Sequence, residues 1–303
     1  MTGTSLFHEQ TARQRIAALA DPGSFVELLP PTARLTSPYL AQLGIPVSFD
    51  DGIVIGKARI GGRKIYLAAQ VGQFVGGAVG EIHGAKLTGL FKAASRDRVP
   101  CVLIIESGGV RLHEGSAGEI AITETMRAIF ECRATKVPTI AVIASDIGAY
   151  GGIGILSTCC DFRVMTEHGR LGISGPIVIE KWMGKKAYDS ANRALVWKTS
   201  GGKTKYLLGD ADALVHDEGG AVREAIAKFL TKSSPVTLKN VKARQAALAK
   251  RLKRFGATAN PDDVWKGMGV RDVAAASLAS GPEFVALAKA GLAKARMAKA
   301  GRR

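Results

Sequence analysis

The chain has 303 residues, 36 glycines, four cysteines and a formal net charge of +16. That length supports a sizeable core, in one large domain or two smaller ones. The cysteines (101, 132, 159 and 160) form no CxxC pair, which excludes a zinc ribbon and leaves buried free thiols in a reducing compartment as the reading.

The first fifteen residues lack the apolar core of a signal peptide. The most apolar long stretch, 137–156, contains Pro138, Asp146 and several glycines, and so does not read as a membrane span. The expected location is the cytoplasm. The charge is uneven: residues 231–303 hold sixteen Lys/Arg against four Asp/Glu, a net +12, and the rest of the chain only +4. A basic tail invites nucleic acid, but no zinc knuckle, stacking aromatics or helix-turn-helix accompanies it. A solvated helix face and an electrostatic surface for an acidic protein or for phosphates stand equally open.

In chain order, residues 9–20 read as a short helix and 21–46 as an irregular lead-in. Segments 52–60 and 63–70 alternate around Gly61-Gly62, a hairpin signal. "GQFVGGAVGEIHGAKLTGLFKAASRDR" is a glycine-rich turn feeding an amphipathic helix with Leu87, Leu90, Phe91 and Ala94 on one face. Strand (101–107), helix (115–134), strand (138–145) and a glycine-rich helix start (149–160) follow. Then come strands at 161–167 and 169–174, a helix at 176–184 with Pro176 in its first turn, a strand at 211–217 and a helix at 219–230. Alternation at this spacing means parallel strands with crossover helices. Residues from 235 onward read as helix only. The expected layout is a lead-in (1–46), an α/β domain (47–234) and a basic helical extension (235–303).

Several motifs fail. "SGGKT" lacks the earlier glycine of a phosphate loop, since Trp197 stands there; "LGISGP" has Pro176 where a nucleophile elbow needs glycine. The five histidines show no metal-ligand spacing, and no dinucleotide fingerprint follows a strand. What remains is a pair of strands ending in glycine-rich helix starts, "ESGGVR" and "SDIGAYGG". Glycine lets backbone N–H groups approach a ligand, and a helix N-terminus leaves such groups unpaired. On neighbouring parallel strands the two turns would share one edge, where they could hold an oxyanion between the N–H groups of Gly109, Val110, Gly151 and Gly152. The cluster around Gly76-Gly77 could wrap a pantetheine-like arm, with His83 and Lys86 toward its phosphates. Arg111 opposes a helix dipole and needs Glu106 or Glu114 as partner. We read Arg111 and Glu114 as a brace of the scaffold.

Together, "GGAVGEIHGAKLTGLFKAA", "ESGGVRLHEG", the run from "PTIAVIAS" to "GPIVIE", and "DSANRALVWKTSGGKTKYLLGDADALVHD" resemble the β subunit of biotin-independent malonate decarboxylases, in the carboxyltransferase branch of the crotonase superfamily. The similarity covers about residues 45–230. It implies a crotonase-like spiral of ββα units and loss of CO2 from a malonyl thioester on an acyl carrier protein. It implies a γ subunit sharing the active site, an acyltransferase subunit in the same complex, and a dephospho-CoA-type prosthetic group on the carrier, with no metal or biotin on this chain. The family's glycine pairs fall on Gly108-Gly109 and Gly151-Gly152. His113 stands where relatives commonly have Gln. Tyr150, His83 and His113 are the candidate proton donors for the carbanion. Two rivals share these residues: a carboxyltransferase subunit that passes the carboxyl group to biotin, and a non-catalytic scaffold that binds nucleic acid through its tail.

Overall fold

A computed structural model describes residues 5–258 and 260–300, with side chains up to 290. The elements are α1 (Ala12–Leu19), β1 (Val26–Leu28), α2 (Pro38–Gln42), β2 (Ile53–Ile60), β3 (Arg63–Gln70), α3 (Glu81–Asp97), β4 (Cys101–Ile105), α4 (Ser116–Ala134), β5 (Thr139–Ile143), α5 (Gly151–Cys159) and β6 (Phe162–Thr166). They continue with α6 (Pro176–Met183), α7 (Arg193–Ser200), α8 (Gly202–Leu208), β7 (Ala213–Val215), α9 (Gly219–Phe229), α10 (Leu238–Phe255), α11 (Pro261–Gly267), α12 (Val273–Leu278) and α13 (Gly281–Ala300).

All seven strands form one sheet in the order of the chain. β1, β2 and β3 pair antiparallel, and every pair from β3 to β7 is parallel. The middle strands are buried on both sides, which is why they read as unbroken apolar runs. In β4, Cys101, Leu103 and Ile105 face the cluster beneath α3, α4 and α5, while Val102 and Ile104 face the cluster beneath α1 and α9. A third cluster joins Leu207 and Leu214 to Trp265, Val273 and Phe284, and so docks α11–α13 on α8 and β7.

Single bridges beyond the strand ends lay down a second, short layer. Val79 pairs with Val110, Ser107 with Ala149, and Ala149 with Leu171, all parallel; Arg170 pairs antiparallel with Gly201. This layer corrects the expected strand at 169–174, whose Arg170 and Leu171 make isolated bridges instead. β1 lies inside the stretch read as irregular, and α7 and α8 went unread. Asn192 caps α7 and Gly201 starts α8, so polar breaks every few residues hide both helical periods. The basic residues of 291–303 lie outside the described side chains. Among the described residues no helix is long and apolar enough to cross a membrane.

Candidate functional site: two touching glycine turns

β4 and β5 run in register from Cys101 with Thr139 to Ile105 with Ile143, so their turns leave the sheet at the same level. The chains stay paired beyond the strands: Ser107 N–H donates to Gly148 C=O at 2.8 Å, and Tyr150 N–H to Ser107 C=O at 3.1 Å. The turns then touch. A Cβ on Gly109 would sit 3.6 Å from Gly151 Cα, and one on Gly151 would sit 3.4 Å from Gly109 Cα. Gly109 (φ +132°) and Gly151 (φ +57°) hold backbone shapes that side-chain-bearing residues avoid. Glycine is thus demanded here by contact and by dihedral alike.

The sequence named four candidate donors, and the structure separates them. Gly151 N–H donates to Ile173 C=O at 2.8 Å, and Gly109 N–H to the Ser107 hydroxyl at 3.2 Å. Gly108 N–H is engaged too, by Gly76 C=O at 2.9 Å. Val110 N–H and Gly152 N–H meet no protein acceptor among the described residues. Gly152 is the second residue of α5, a position whose N–H has no intrahelical partner. The positive end of the helix dipole adds to its attraction for an oxyanion. The two residues are neighbours: a Cβ on Gly152 would lie 3.1 Å from Val110 Cγ2.

A buried ion cluster holds the first turn. Arg111 Nη1 lies 2.7 Å from Glu114 Oε1 and 3.1 Å from Asp51 Oδ2, and Arg111 Nη2 donates to Asp51 C=O. Glu114 Oε2 accepts the Glu81 N–H at the start of α3, and Asp51 Oδ2 accepts the His83 N–H. Burial pushes the Asp51 carboxyl above its ordinary value against the pull of Arg111. Glu106, the other partner considered for Arg111, instead pairs with Arg15 at 3.0 Å and accepts from the Ser145 hydroxyl.

Two sequence-named groups take other places. Lys86 is buried, and its Nζ donates to the carbonyls of Asp50 and Ile53, which ties α3 to the chain entering β2. His83 is fully buried beside Gln70. Burial and the nearby Arg111 charge lower its pKa to about 3, so it stays neutral. Both corrections have one cause. His83 and Lys86 share the inward face of α3 with Leu87 and Leu90, and their one-turn spacing to those leucines was a signal available in the sequence.

Tyr150 precedes Gly151 and is buried, with its hydroxyl 3.3 Å from Ser200 Oγ; burial raises its phenol pKa. His113 is exposed on the single turn Leu112–Glu114. Gly77 is fixed by packing, since a Cβ there would lie 1.8 Å from Glu106 C=O, while Gly76 faces open space. All four cysteines are free, and burial raises their thiol pKa values, so none is set up as a nucleophile.

The fold also gathers His8, His168 and Asp217, a set that sequence spacing could not reveal. His8 Nδ1 binds Asp217 Oδ2 at 2.5 Å, and the two imidazoles stack at 3.9 Å with planes 9° apart. Stacked rings aim their lone pairs in parallel, whereas a metal ion needs them convergent. With Phe7 N–H on Asp217 C=O, the group works as a clasp that pins the N-terminal turn to the end of β7.

Comparisons with known proteins identify the family. The family model described as "Carboxyl transferase domain" matches residues 8–284. The malonyl-S-ACP:biotin-protein carboxyltransferase MADC of Malonomonas rubra is 40% identical over 241 residues, 75% of this chain and 76% of that protein. A subunit of a Pseudomonas malonate decarboxylase hetero-tetramer solved with malonate superimposes with a TM-score of 0.77 at 37% identity, covering 85% of this chain and 94% of that one. A chain of the Pseudomonas MdcD–MdcE hetero-dimer gives 0.65 at 33%, covering 83% and 96%. The fold is therefore of the crotonase type, and the relatives are enzymes acting on carboxyl groups. With a family match over most of its length, the chain belongs to the carboxyl transferase domain family, and its resemblance to malonate decarboxylase subunits holds.

Proposed function

We propose that this chain is the β-type subunit of a malonate decarboxylase, converting a malonyl thioester on an acyl carrier protein, plus one proton, to the acetyl thioester and CO2. The observation that carries this reading is the pair of backbone N–H groups, Val110 and Gly152, left without protein acceptors on two turns in contact. Breaking the bond to the departing carboxylate leaves its electron pair on the α-carbon, from which it delocalises onto the thioester oxygen. Donors fixed where that charge develops bind the enolate more tightly than the substrate, each contributing about 3 kcal/mol. The carbanion then takes a proton at the α-carbon. Of the three side chains considered for that step, His113 is the one exposed to solvent.

The surface beside the turns supports a partner. Leu112 (81% exposed), Ile120, Ile173, Ile177 and Trp182 (86%) are large apolar side chains open to water around the α4–α5–α6 edge. We take these side chains together as an interaction surface. We assign it to a γ-type subunit that closes the site. The dephospho-CoA-type arm of the carrier would enter between the two subunits, past Gly76-Gly77, after a separate acyltransferase subunit has loaded it.

A second reading is favoured by the 40% identity to a carboxyltransferase whose acceptor is a biotin-protein. The same donors would hold the same enolate, and the carboxyl group would pass to biotin instead of leaving as CO2. The deciding experiment measures CO2 release from malonyl-carrier by the assembled complex with and without avidin. Release indifferent to avidin supports direct decarboxylation, and release abolished by avidin assigns carboxyl transfer. A complex that binds its subunits but never turns malonyl-carrier over overturns both.

A further inference from the structure

Helix α10 is eighteen residues long, and none of its residues is buried. Its large apolar side chains recur at alternating spacings of three and four: Leu238, Val241, Leu248, Leu252 and Phe255, with Gln245 completing the series. That is the a/d pattern of a helix that pairs along one seam, with one polar residue at a central a position, where such residues set register. The seam is open at Leu238 (69% exposed), Val241 and Leu252 (71%), while Leu248 and Phe255 turn toward the body. Beside it, a groove of about 250 Å³ runs between α10 and the body, floored by Leu208 and Met268.

The charge around the seam is of one sign. α10 holds seven Lys/Arg and no Asp or Glu. Arg244 and Arg251 flank one side and converge on Asp210, at 3.6 and 2.9 Å, which anchors the helix to the body. Lys242, at a flanking position, and Lys253, one step farther round the helix, lie on the other side, with no carboxylate within 4 Å of either among the described residues. We propose that α10 is a docking helix for an acidic amphipathic helix of another protein. The partner's leucine-type face would cover the open seam, and its Glu/Asp would meet Lys242 and Lys253. Charge selects this occupant: a second copy of α10 would set like charges along both flanks. The seam excludes simple phosphate binding as the purpose, because a phosphate surface needs the cations but not a continuous apolar stripe at helical period. The inference is independent of the reaction proposed above.

The test uses the full chain and two fluorescent three-heptad peptides, both with leucine at a and d, one with Glu and one with Lys at e and g. Binding is followed by anisotropy at about 50 and about 500 mM NaCl. The expected result is saturable binding of the Glu peptide, weakened at least tenfold by the higher salt and at least tenfold by the double variant Leu238→Ser/Leu252→Ser. The double reversal Lys242→Glu/Lys253→Glu should exchange the preference toward the Lys peptide. Circular dichroism of each variant confirms that α10 remains folded. Equal binding of both peptides, no binding to the folded chain, or binding unchanged by the seam variants overturns the proposal. Tight binding of duplex DNA or phosphatidylglycerol vesicles that survives the seam variants does so as well, and reassigns α10 to phosphates.

Discussion

Arg111 and Glu114 face each other at 2.7 Å with both side chains fully excluded from water, and Asp51 closes the cluster from the start of β2. One guanidinium thus ties together the turn after β4, the turn entering β2 and, through Glu114 and Glu81 N–H, the first turn of α3. The backbone N–H of Arg111 donates to Val79 C=O at 2.9 Å, so the residue after Val110 is held by both its side chain and its main chain. Buried ion clusters cost desolvation, so their value shows most when one member is removed.

Arg111→Met should cost about 3–5 kcal/mol, because it strands two carboxylates in the interior. Urea unfolding of the purified chain measures it. Arg111→Lys keeps a charge but loses the fork that reaches both acids, and should fall between wild type and Arg111→Met.

At Gly152, proline and alanine separate the N–H from the side chain. Both add a Cβ that meets Val110 Cγ2 at 3.1 Å, but only proline deletes the donor, and the first turn of a helix tolerates it. Gly152→Pro should lower kcat by about 10²–10³ relative to Gly152→Ala. Equal kcat values in two folded variants would remove Gly152 from the oxyanion site.

The neighbouring glycines 76 and 77 should respond differently to alanine. Both have positive φ, +62° and +66°. Gly76→Ala meets open space and should cost about 1 kcal/mol. Gly77→Ala would drive its Cβ to 1.8 Å from Glu106 C=O, so the turn must move. A melting temperature clearly lower for Gly77→Ala than for Gly76→Ala is the expected result.

His83 makes stability depend on pH. Its folded pKa is depressed to about 3 by burial and by Arg111, below the ordinary value of 6.5. Between those values the unfolded chain takes up a proton that the folded chain refuses. The stability it contributes is therefore whole above pH 6.5 and drains away as pH falls toward 3, by up to about 1.4 kcal/mol per pH unit. His83→Gln should flatten that part of the stability–pH curve measured by urea titration.

If His113 delivers the proton to the α-carbon, His113→Gln should lower kcat about 10²-fold while leaving the affinity for malonyl-carrier unchanged. An unchanged kcat assigns proton delivery to water.

The sequence made the helices with clean apolar faces and the glycine hairpin legible, because periods of 3.6 and 2 survive where an element has one dry face. It also made the two glycine turns legible as a pair. It could not show that Gly151 N–H belongs to Ile173 or that Gly109 N–H belongs to Ser107, since a bond formed on folding leaves no trace in residue type. Arg111 shows the same limit: Glu114, three residues on, was within sight, and Asp51, sixty residues back, was not. Lys86 lies on the inward face of α3 that its one-turn spacing to Leu90 announces. Its charge argued for the surface, but two backbone carbonyls that no pattern announces hold it inside.

The sheet order follows the chain without a single exchange from β1 to β7. Each strand emerging during synthesis therefore finds its template already in place, one step behind it. No strand waits exposed for a distant partner, and the open edge moves along with the growing chain. Parallel sheets are slow to assemble when loops must close over long separations. Here every closure is between successive strands, and α11–α13 pack against β7 only after the sheet is complete. A chain built this way spends little of its synthesis with unpaired strand edges open to aggregation.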